Sequence, residues 1–128
     1  MTNRQSINGP RERHDNPIPN ASRVGPLIMS SVVTGINQAT RELPDSLEEQ
    51  ITNVYAHIRS DVEAAGATLE DVVKITFWLK DPAAQRHALN AEWLRMFPDP
   101  QSRPARHTLT LPSESKGKVQ ADFVAFVQ

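Results

Sequence analysis

The 128-residue chain contains no cysteine, and this absence excludes several kinds of chemistry. Without thiols there can be no disulfide, no thiolate nucleophile and no cysteine-based zinc site. Aromatic residues make up only 5% of the chain. No apolar run approaches the roughly 20 residues that a membrane span needs, and the N-terminal stretch MTNRQSINGPRERHDN lacks the apolar segment of a signal peptide. We therefore expect a cytoplasmic protein that does not enter a membrane.

Neither sign of charge dominates the chain. Fourteen Lys and Arg residues against 15 Asp and Glu residues give a formal net charge of −1, whereas dedicated nucleic-acid binders are usually strongly basic. We therefore expect no nucleic-acid partner. The sequence also lacks the GxGxxG, P-loop, HExxH and GxSxG patterns, and its four histidines are not spaced as ligand pairs. These absences predict no metal site and no serine-hydrolase triad.

The composition is that of a globular domain, with 38% apolar and 23% charged residues. Residues 1–15 are polar and without periodicity, so we expect a flexible N-terminal tail there. The remaining residues, 16–128, are enough for one domain with a single core. The sequence therefore predicts a tail followed by one folded unit.

Hydrophobic spacing predicts an α/β fold. Apolar residues recur every three or four positions over 46–65 and again over 82–97, which indicates two amphipathic helices. Strands are predicted at 26–35, 72–80, 105–111 and 118–127. Two β–α–β crossings in so short a chain favour an α/β sandwich with both helices packed on one face of a single sheet.

The other face of this sheet mixes polar and aromatic side chains. On that face the alternation places Lys74, Thr76, Trp78, Gln120, Asp122 and Phe126. Aromatic side chains are poorly suited to lie bare in water, so this pattern favours a homo-oligomer in which other copies cover the face. The alternative is an open face on which long side chains shield the apolar groups.

The stretch SRPARHTLTLP, residues 102–112, offers the best candidate for binding chemistry. Arginine keeps its charge and presents a planar fork that matches a carboxylate. Arg103 precedes a proline in an irregular connection, where we expect it to be solvated, whereas Arg106 begins a strand. Simple solvation is the alternative for Arg106 as well. Asp122 is unusual as a carboxylate in mid-strand, and if the two C-terminal strands pair, it approaches Arg106 at one cleft.

Three stretches together resemble the RidA family, also called YjgF or L-PSP. They are VEAAGATLEDVVKITFWLKD (62–81), LNAEWLRMF (89–97) and RPARHTLTLP (103–112), and the resemblance covers roughly residues 16–127. It implies a chorismate-mutase-like α/β sandwich with one mostly antiparallel sheet, which forms a homotrimer with clefts between subunits. It also implies a metal-free and cofactor-free imine deaminase, which hydrolyses reactive 2-imino acids derived from 2-aminoacrylate and related enamines to 2-keto acids and ammonia.

The same resemblance assigns roles to individual residues. Arg106, in the P-A-R motif, corresponds to the arginine that clamps the substrate carboxylate. Ser31 corresponds to a strand-centre serine, and Asp122 to a carboxylate that positions or activates water. Asn90, on the second predicted helix, corresponds to an asparagine that supports the cleft.

Four features depart from the family pattern. Val32 replaces a glycine and is expected to narrow the cleft, and Ile18 falls near the position of a tyrosine. His107 and Thr108 follow the P-A-R motif in place of small or cysteine-bearing residues, and alternation along the strand puts His107 at the rim. Asp122 replaces a glutamate, so its oxygens fall about 1.5 Å short, the length of one carbon–carbon bond.

Three functions follow as hypotheses. The first is a hydrolase that acts on the C–N bond of 2-iminobutanoate, 2-iminopropanoate or a related imine. The second is a module that binds a small carboxylate metabolite without turnover, as a regulator. The third is an endoribonuclease or translation inhibitor, against which the mild negative charge and the lack of a catalytic histidine pair both argue.

Overall fold

The computed structural model describes residues 3–11 and 14–128. Its two helices are α1 (Leu47–Ala64) and α2 (Pro82–Met96), with one 3-10 turn at Leu69–Asp71. Its strands are β1 (Arg4–Ile7), β2 (Ala21–Val24), β3 (Leu27–Ser30), β4 (Val33–Thr34), β5 (Val72–Leu79), β6 (Ala105–Thr110) and β7 (Val119–Phe126). No helix in the described ranges has both the length and the apolar character needed to cross a membrane.

All these strands join one sheet. Its order is β1-β2-β3-β7-β5-β6, and β4 pairs with β7 beyond the end of β3. The β5–β6 pair is parallel and the other pairs are antiparallel. The predicted α/β sandwich, with one mostly antiparallel sheet and two helices on one face, is therefore confirmed.

Local signals in the sequence explain the two helices. Ser46 caps α1 by accepting a hydrogen bond at Oγ from the backbone N–H of Glu49 (3.2 Å), and Asp81 caps α2 with Pro82 at the first helical position. Gly66 ends α1 at a φ of 85°, where glycine is unstrained. These caps fix where each helix starts and therefore which side chains it turns toward the sheet.

The core lies between the helices and one face of the sheet. Alternate residues of β5 and β7 are fully buried there, among them Ile75, Phe77 and Phe123. The Phe77 ring lies 5.5 Å from that of Tyr55 on α1 and 6.3 Å from that of Trp93 on α2, measured between centroids. Aromatic packing therefore ties both helices to the central strand β5.

The expected tail over residues 1–15 was wrong where the structure describes it. Arg4–Ile7 pairs with Ala21–Val24 as the outer strand of the sheet. Arg11 is also buried, and its Nε lies 2.9 Å from a carboxylate oxygen of Asp61 on α1. The reason is that strand pairing and a distant ion pair order this segment, and neither leaves a periodic pattern in a polar sequence.

The single strand predicted at 26–35 is in fact two short strands. Ser30 Oγ accepts the backbone N–H of Phe123 (2.9 Å), so a side chain takes the place of a main-chain carbonyl at the end of β3. The chain then leaves the ladder at Ser31 and Val32 before it rejoins β7 as β4. This break lifts Ser31 out of the sheet and toward a cavity.

Candidate functional site

Arg106 lies on β6, an edge strand of the sheet, and points toward the helices. It pairs with Ile75, a core residue, so its side chain leaves the sheet on the helix-bearing face. The guanidinium carbon lies 5.0 Å from the centroid of the Trp93 ring on α2. This is a cation–π contact. We call Arg106, Trp93 and Tyr55 the arginine site.

The arginine site holds a donor that has no acceptor. Nη1 of Arg106 is buried and has no hydrogen-bond partner among the described residues. Burial is the main cause that lowers the pKa of Arg106; Tyr55 opposes this effect and Arg86 adds to it. Arginine nevertheless remains charged at neutral pH. Because an unmet buried donor is unfavourable, an anion in reach of Nη1 would be stabilised.

Tyr55 supports the site from α1. Its hydroxyl donates to the backbone oxygen of Leu89 (3.3 Å), which links α1 to α2. Burial raises the pKa of Tyr55, with Arg106 opposing the shift and Glu92 adding to it. Tyr55 is therefore a neutral phenol at physiological pH, and it does not neutralise the Arg106 charge.

Two further predicted residues lie beside the arginine site. Asn90 is half-buried on α2, three residues before Trp93 and so on the same side of the helix. Thr108 is half-buried two residues after Arg106 on β6, opposite Phe77, and so on the same face of the sheet. Asn90 therefore lies on the Trp93 side of α2, and Thr108 on the Arg106 face of β6.

Ser31 lines a different space, a cavity of about 640 Å³ that we call the serine cavity. Ser31 Oγ donates to the backbone oxygen of Pro19 (2.7 Å), and its backbone N–H donates to that of Asn20 (2.9 Å). The hydroxyl proton is thus in use, whereas its oxygen can still accept. The cavity is lined by Arg11, His14, Asp15, Pro19, Asn20, Ser31, Val32, Thr34, Ile36, Arg41 and Gln120.

Of the residues predicted for the cleft, Val32 lines the serine cavity and Ile18 does not. Ile18 is 43% exposed and lines a separate depression, which shares only His14 and Pro19 with the serine cavity. Within one chain Ile18 therefore lies outside the serine cavity, although we predicted it as a cleft residue.

Asp122 lies on the open face of the sheet, the face without helices. It pairs with Thr76, and Thr76 pairs on its other side with His107. These three residues form one row across β7, β5 and β6. Burial is the main cause that raises the pKa of Asp122, and Lys74 partly opposes it. The row brings His107, and not Arg106, to the same face as Asp122.

The expectation that Arg106 and Asp122 approach through paired C-terminal strands was wrong. Strand β5 lies between β6 and β7, and the two side chains leave the sheet on opposite faces. Arg103 is exposed as expected, and it also donates to the backbone oxygens of Phe97 (2.8 Å) and Pro98 (3.3 Å). Within a single chain, the arginine site and the serine cavity are therefore separate.

Sequence reasoning missed several residues that line the serine cavity, of which Arg11, Arg41 and Gln120 carry the largest polar groups. Asp61, the ion partner of Arg11, falls on the buried stripe of α1, and a charge at such a position is a signal that could have been used. No comparable signal marks Arg41. Across residues 3–11 and 14–128, no three His, Asp or Glu side chains gather as a metal site would require.

Asp122→Asn is expected to stabilise the protein more at about pH 7 than at about pH 3. Burial raises the pKa of the folded-state carboxyl, so its favourable contribution is complete below the unfolded-state pKa and is lost as pH rises through the folded-state pKa. Asparagine stays neutral and avoids this loss. Urea-unfolding midpoints of both proteins at the two pH values measure the effect. An equal difference at both would contradict it.

Comparison with known proteins identifies the family of the sequence. The sequence model for Endoribonuclease L-PSP matches residues 15–119. A RutC family protein of Haemophilus influenzae is 33% identical over 81 residues, which are 63% of this chain and 62% of that protein. The chain thus spans about 62% of the length of this relative. A RutC family protein of Aquifex aeolicus is 29% identical over 93 residues, 73% of this chain and 74% of that protein.

Solved structures match nearly the whole chain. RidA of the Antarctic bacterium Psychrobacter sp. PAMC 21119 superposes with a TM-score of 0.87 and 26% identity, over 96% of this chain and 99% of that one. The YjgF gene product of E. coli gives a TM-score of 0.86 at 23% identity, over 97% and 99% of the two chains. With its sequence match over residues 15–119, the chain belongs to the Endoribonuclease L-PSP family, which includes the YjgF and RidA proteins.

Proposed function

We propose that this protein hydrolyses 2-imino acids to 2-keto acids and ammonia, with Arg106 binding the substrate carboxylate. The observation that carries the proposal is Nη1 of Arg106, a buried cationic donor without an acceptor among the described residues. A carboxylate provides the missing acceptor and the opposite charge in one group. The Trp93 ring lies 5.0 Å from the guanidinium carbon, and this contact restricts where the guanidinium group can lie before the substrate arrives.

The cleft in this proposal is completed by a second copy of the chain. Arg106 lies on an edge strand and faces the helices, while Ser31 and Asp122 lie beyond β5 or on its other face. A small 2-imino acid cannot reach both groups in one chain. When a neighbouring copy places its serine cavity beside β6, the imino acid can contact Arg106 of one copy and Ser31 of the other.

The open face of the sheet supports assembly into a homotrimer. Large apolar side chains lie on it with 38% to 53% of their surface exposed: Val24, Leu27, Met29, Leu109 and Phe126. Three of these, Val24, Leu27 and Phe126, are directly opposite one another on β2, β3 and β7. A continuous apolar row of this kind is stabilised when another copy covers it.

The proposed reaction adds water across the C=N bond. With the carboxylate fixed on Arg106, the carbon of the protonated imine faces a water molecule. The water oxygen forms the new C–O bond while the C=N π electrons move to nitrogen. The water proton passes to a base, which returns it to the amino nitrogen of the resulting carbinolamine. The C–N bond then breaks, ammonia leaves, and the hydroxyl group gives its proton to the base as its oxygen becomes the keto oxygen. Fixing the substrate in this way lowers the barrier mainly through proximity and orientation.

Ser31 and Asp122 have complementary roles in this proposal. The Ser31 oxygen can accept an N–H of the imine, since its own proton is directed to Pro19. Asp122 takes the proton from water, and its raised pKa makes it a stronger base than an ordinary carboxylate. Gln120 lines the serine cavity and lies two residues before Asp122 on the same face of β7, roughly 7 Å along the strand.

The activity is tested with 2-iminobutanoate generated from threonine by a dehydratase, in the presence of semicarbazide to trap imine that is not hydrolysed. We expect the protein to raise 2-ketobutanoate formation and to lower the trapped fraction in proportion to its concentration. Calorimetric binding of 2-ketobutanoate without any rate effect on several imines would instead favour the carboxylate-binding module. Cleavage of RNA that survived repurification and an Arg106→Ala substitution would favour the ribonuclease.

A further inference from the structure

We propose that Arg41 forms a second anion-binding subsite at the end of the serine cavity, so that the preferred imino acids carry a second, distal carboxylate. This inference rests on the proposed function, because it extends the same cleft. The first carboxylate binds Arg106 of another copy, the imine lies at Ser31, and the distal carboxylate meets Arg41. The chemical class is thus a 2-imino dicarboxylic acid.

The backbone at Arg41 adopts a conformation that side chains disfavour, in a loop closed by hydrogen bonds from the Arg41 N–H to the Asn37 oxygen and from the Asn37 N–H to the Glu42 oxygen (both 2.8 Å). A φ of 64° makes Arg41 the one non-glycine residue with positive φ in the described part of the chain. Glycine adopts this conformation readily, whereas a side chain crowds the backbone. The loop is otherwise well ordered, because Asn37 Oδ1 accepts the backbone N–H groups of Ala39 (2.9 Å) and Thr40 (3.0 Å). Strain of this kind is typical of functional positions.

The Arg41 side chain connects two cavities. It lines the serine cavity and a neighbouring cavity of about 270 Å³, and the two also share Thr34, Ile36 and Gln120. Its guanidinium makes no hydrogen bond or ion pair with any residue that the structure describes. Arg41 therefore offers all of its donors to whatever enters the space between the cavities.

The charges around this space favour an anion at the Arg41 end. Lys116 lines the neighbouring cavity and adds a second positive charge there. Arg11, in the serine cavity, is compensated by the buried carboxylate of Asp61. Asp15 is the one carboxylate among the described residues that line the serine cavity. Two cations therefore have no carboxylate partner among the described residues: Arg41, where the two cavities meet, and Lys116, in the neighbouring cavity.

The first test compares two ligands of equal carbon number, 2-ketoglutarate and 2-ketopentanoate, by calorimetry on the full chain. The wild type is expected to bind the dicarboxylate at least about tenfold more tightly, the effect of one added charge-assisted contact. Arg41→Gly should abolish this preference, and Arg41→Lys should restore part of it. Arg59→Ala, at an exposed arginine of α1, is the matched control and should keep the full preference.

A melting curve separates this role from a merely structural one. Arg41→Gly should leave the melting temperature level or raise it, because glycine adopts this φ without strain. The ratio of kcat/KM for 2-iminoglutarate to that for 2-iminopentanoate should fall at least about tenfold in the same variant. A lost preference with an undamaged fold supports the subsite.

The outcomes distinguish the subsite from the proposed function. A wild type without the dicarboxylate preference, or a preference that persists in Arg41→Gly, overturns the Arg41 subsite and leaves the Arg106 assignment in place. If Arg106→Ala binds both keto acids as tightly as the wild type does, the carboxylate clamp is wrong. The Arg41 subsite is then judged only by the ratio of the affinities for 2-ketoglutarate and 2-ketopentanoate, compared between the wild type and Arg41→Gly.

Discussion

Arg106→Ala is expected to lower kcat/KM for 2-iminobutanoate by about 100- to 1,000-fold, as measured from initial rates of 2-ketobutanoate formation. A hydrogen-bonded charge contributes about 1.5–3 kcal/mol, and 1.36 kcal/mol corresponds to a tenfold change in rate. The fork also fixes the orientation of the imine carbon, which adds to the loss. The substitution removes both the buried Nη1 donor and the charge above Trp93.

Two variants sharpen the interpretation of that loss. Arg106→Lys keeps the charge without the planar fork, so its activity should lie between those of the wild type and the alanine variant. Arg103→Ala removes a nearby arginine that donates to the backbone oxygens of Phe97 and Pro98. We expect it to cost less than about threefold in kcat/KM. Equal losses in Arg103→Ala and Arg106→Ala would mean that local charge, and not the fork, determines the rate.

The two-copy cleft can be examined with the same substitution. Arg106→Ala chains and Asp122→Ala chains should each assemble into proteins of very low activity. When the two are unfolded together and refolded at equal amounts, about a quarter of the clefts receive an intact arginine from one copy and an intact aspartate from its neighbour. We therefore expect about a quarter of wild-type activity. Failure to recover activity in a mixed, folded assembly would contradict the shared cleft.

Asp61→Ala is expected to lower the free energy of unfolding by about 3–5 kcal/mol, the usual result of removing one partner of a buried ion pair. Asp61 is 0% exposed and Arg11 is 5% exposed. The Arg11 Nε lies 3.0 and 2.9 Å from the two carboxylate oxygens. The substitution deprives this guanidinium of its carboxylate in a space where water has little access. Urea unfolding monitored by circular dichroism measures the change.

A partly exposed ion pair provides the control for this measurement. Glu92 and Arg95 form a pair on α2, and their side chains are 18% and 74% exposed. Glu92→Ala should cost no more than about 0.5 kcal/mol. The double variant Arg11→Met/Asp61→Leu should recover most of the stability that Asp61→Ala loses, because it removes both buried charges. A cost for Asp61→Ala close to that for Glu92→Ala would contradict the buried role.

The parts of the fold that depend on local periodicity were predictable from the sequence. The α1 stripe of Ile51, Val54, Ile58 and Val62 is buried as its spacing indicates. The alternation of β5 and β7 separates a core face from an open face as expected except at Val73, which was predicted for the core face but is 54% exposed because of a β-bulge between Val72 and Lys74. These patterns arise because each residue of a helix or strand is placed by its near neighbours along the chain.

The arrangement of the site was less predictable because it depends on contacts between distant segments. Nothing near Arg106 in the sequence indicates that β5 lies between β6 and β7, and that order decides which face Arg106 shares with Asp122. Likewise, Arg11 and Asp61 are separated by 50 residues. The Arg41 backbone conformation depends on a loop closed by Asn37, and arginine carries no propensity that would reveal it.

The adjacent serines at the end of β3 have separate tasks. The Ser30 hydroxyl receives the Phe123 N–H and so closes the sheet, whereas the Ser31 hydroxyl donates to Pro19 and lines the serine cavity. The two residues are chemically identical and one position apart, yet they are not interchangeable. If an alignment with a relative were shifted by one residue here, Ser30 and not Ser31 would be matched to the relative's cleft serine. The serine-to-serine match would score the same in both alignments. Position relative to the interrupted ladder, and not residue type, is therefore the criterion for matching this serine among relatives.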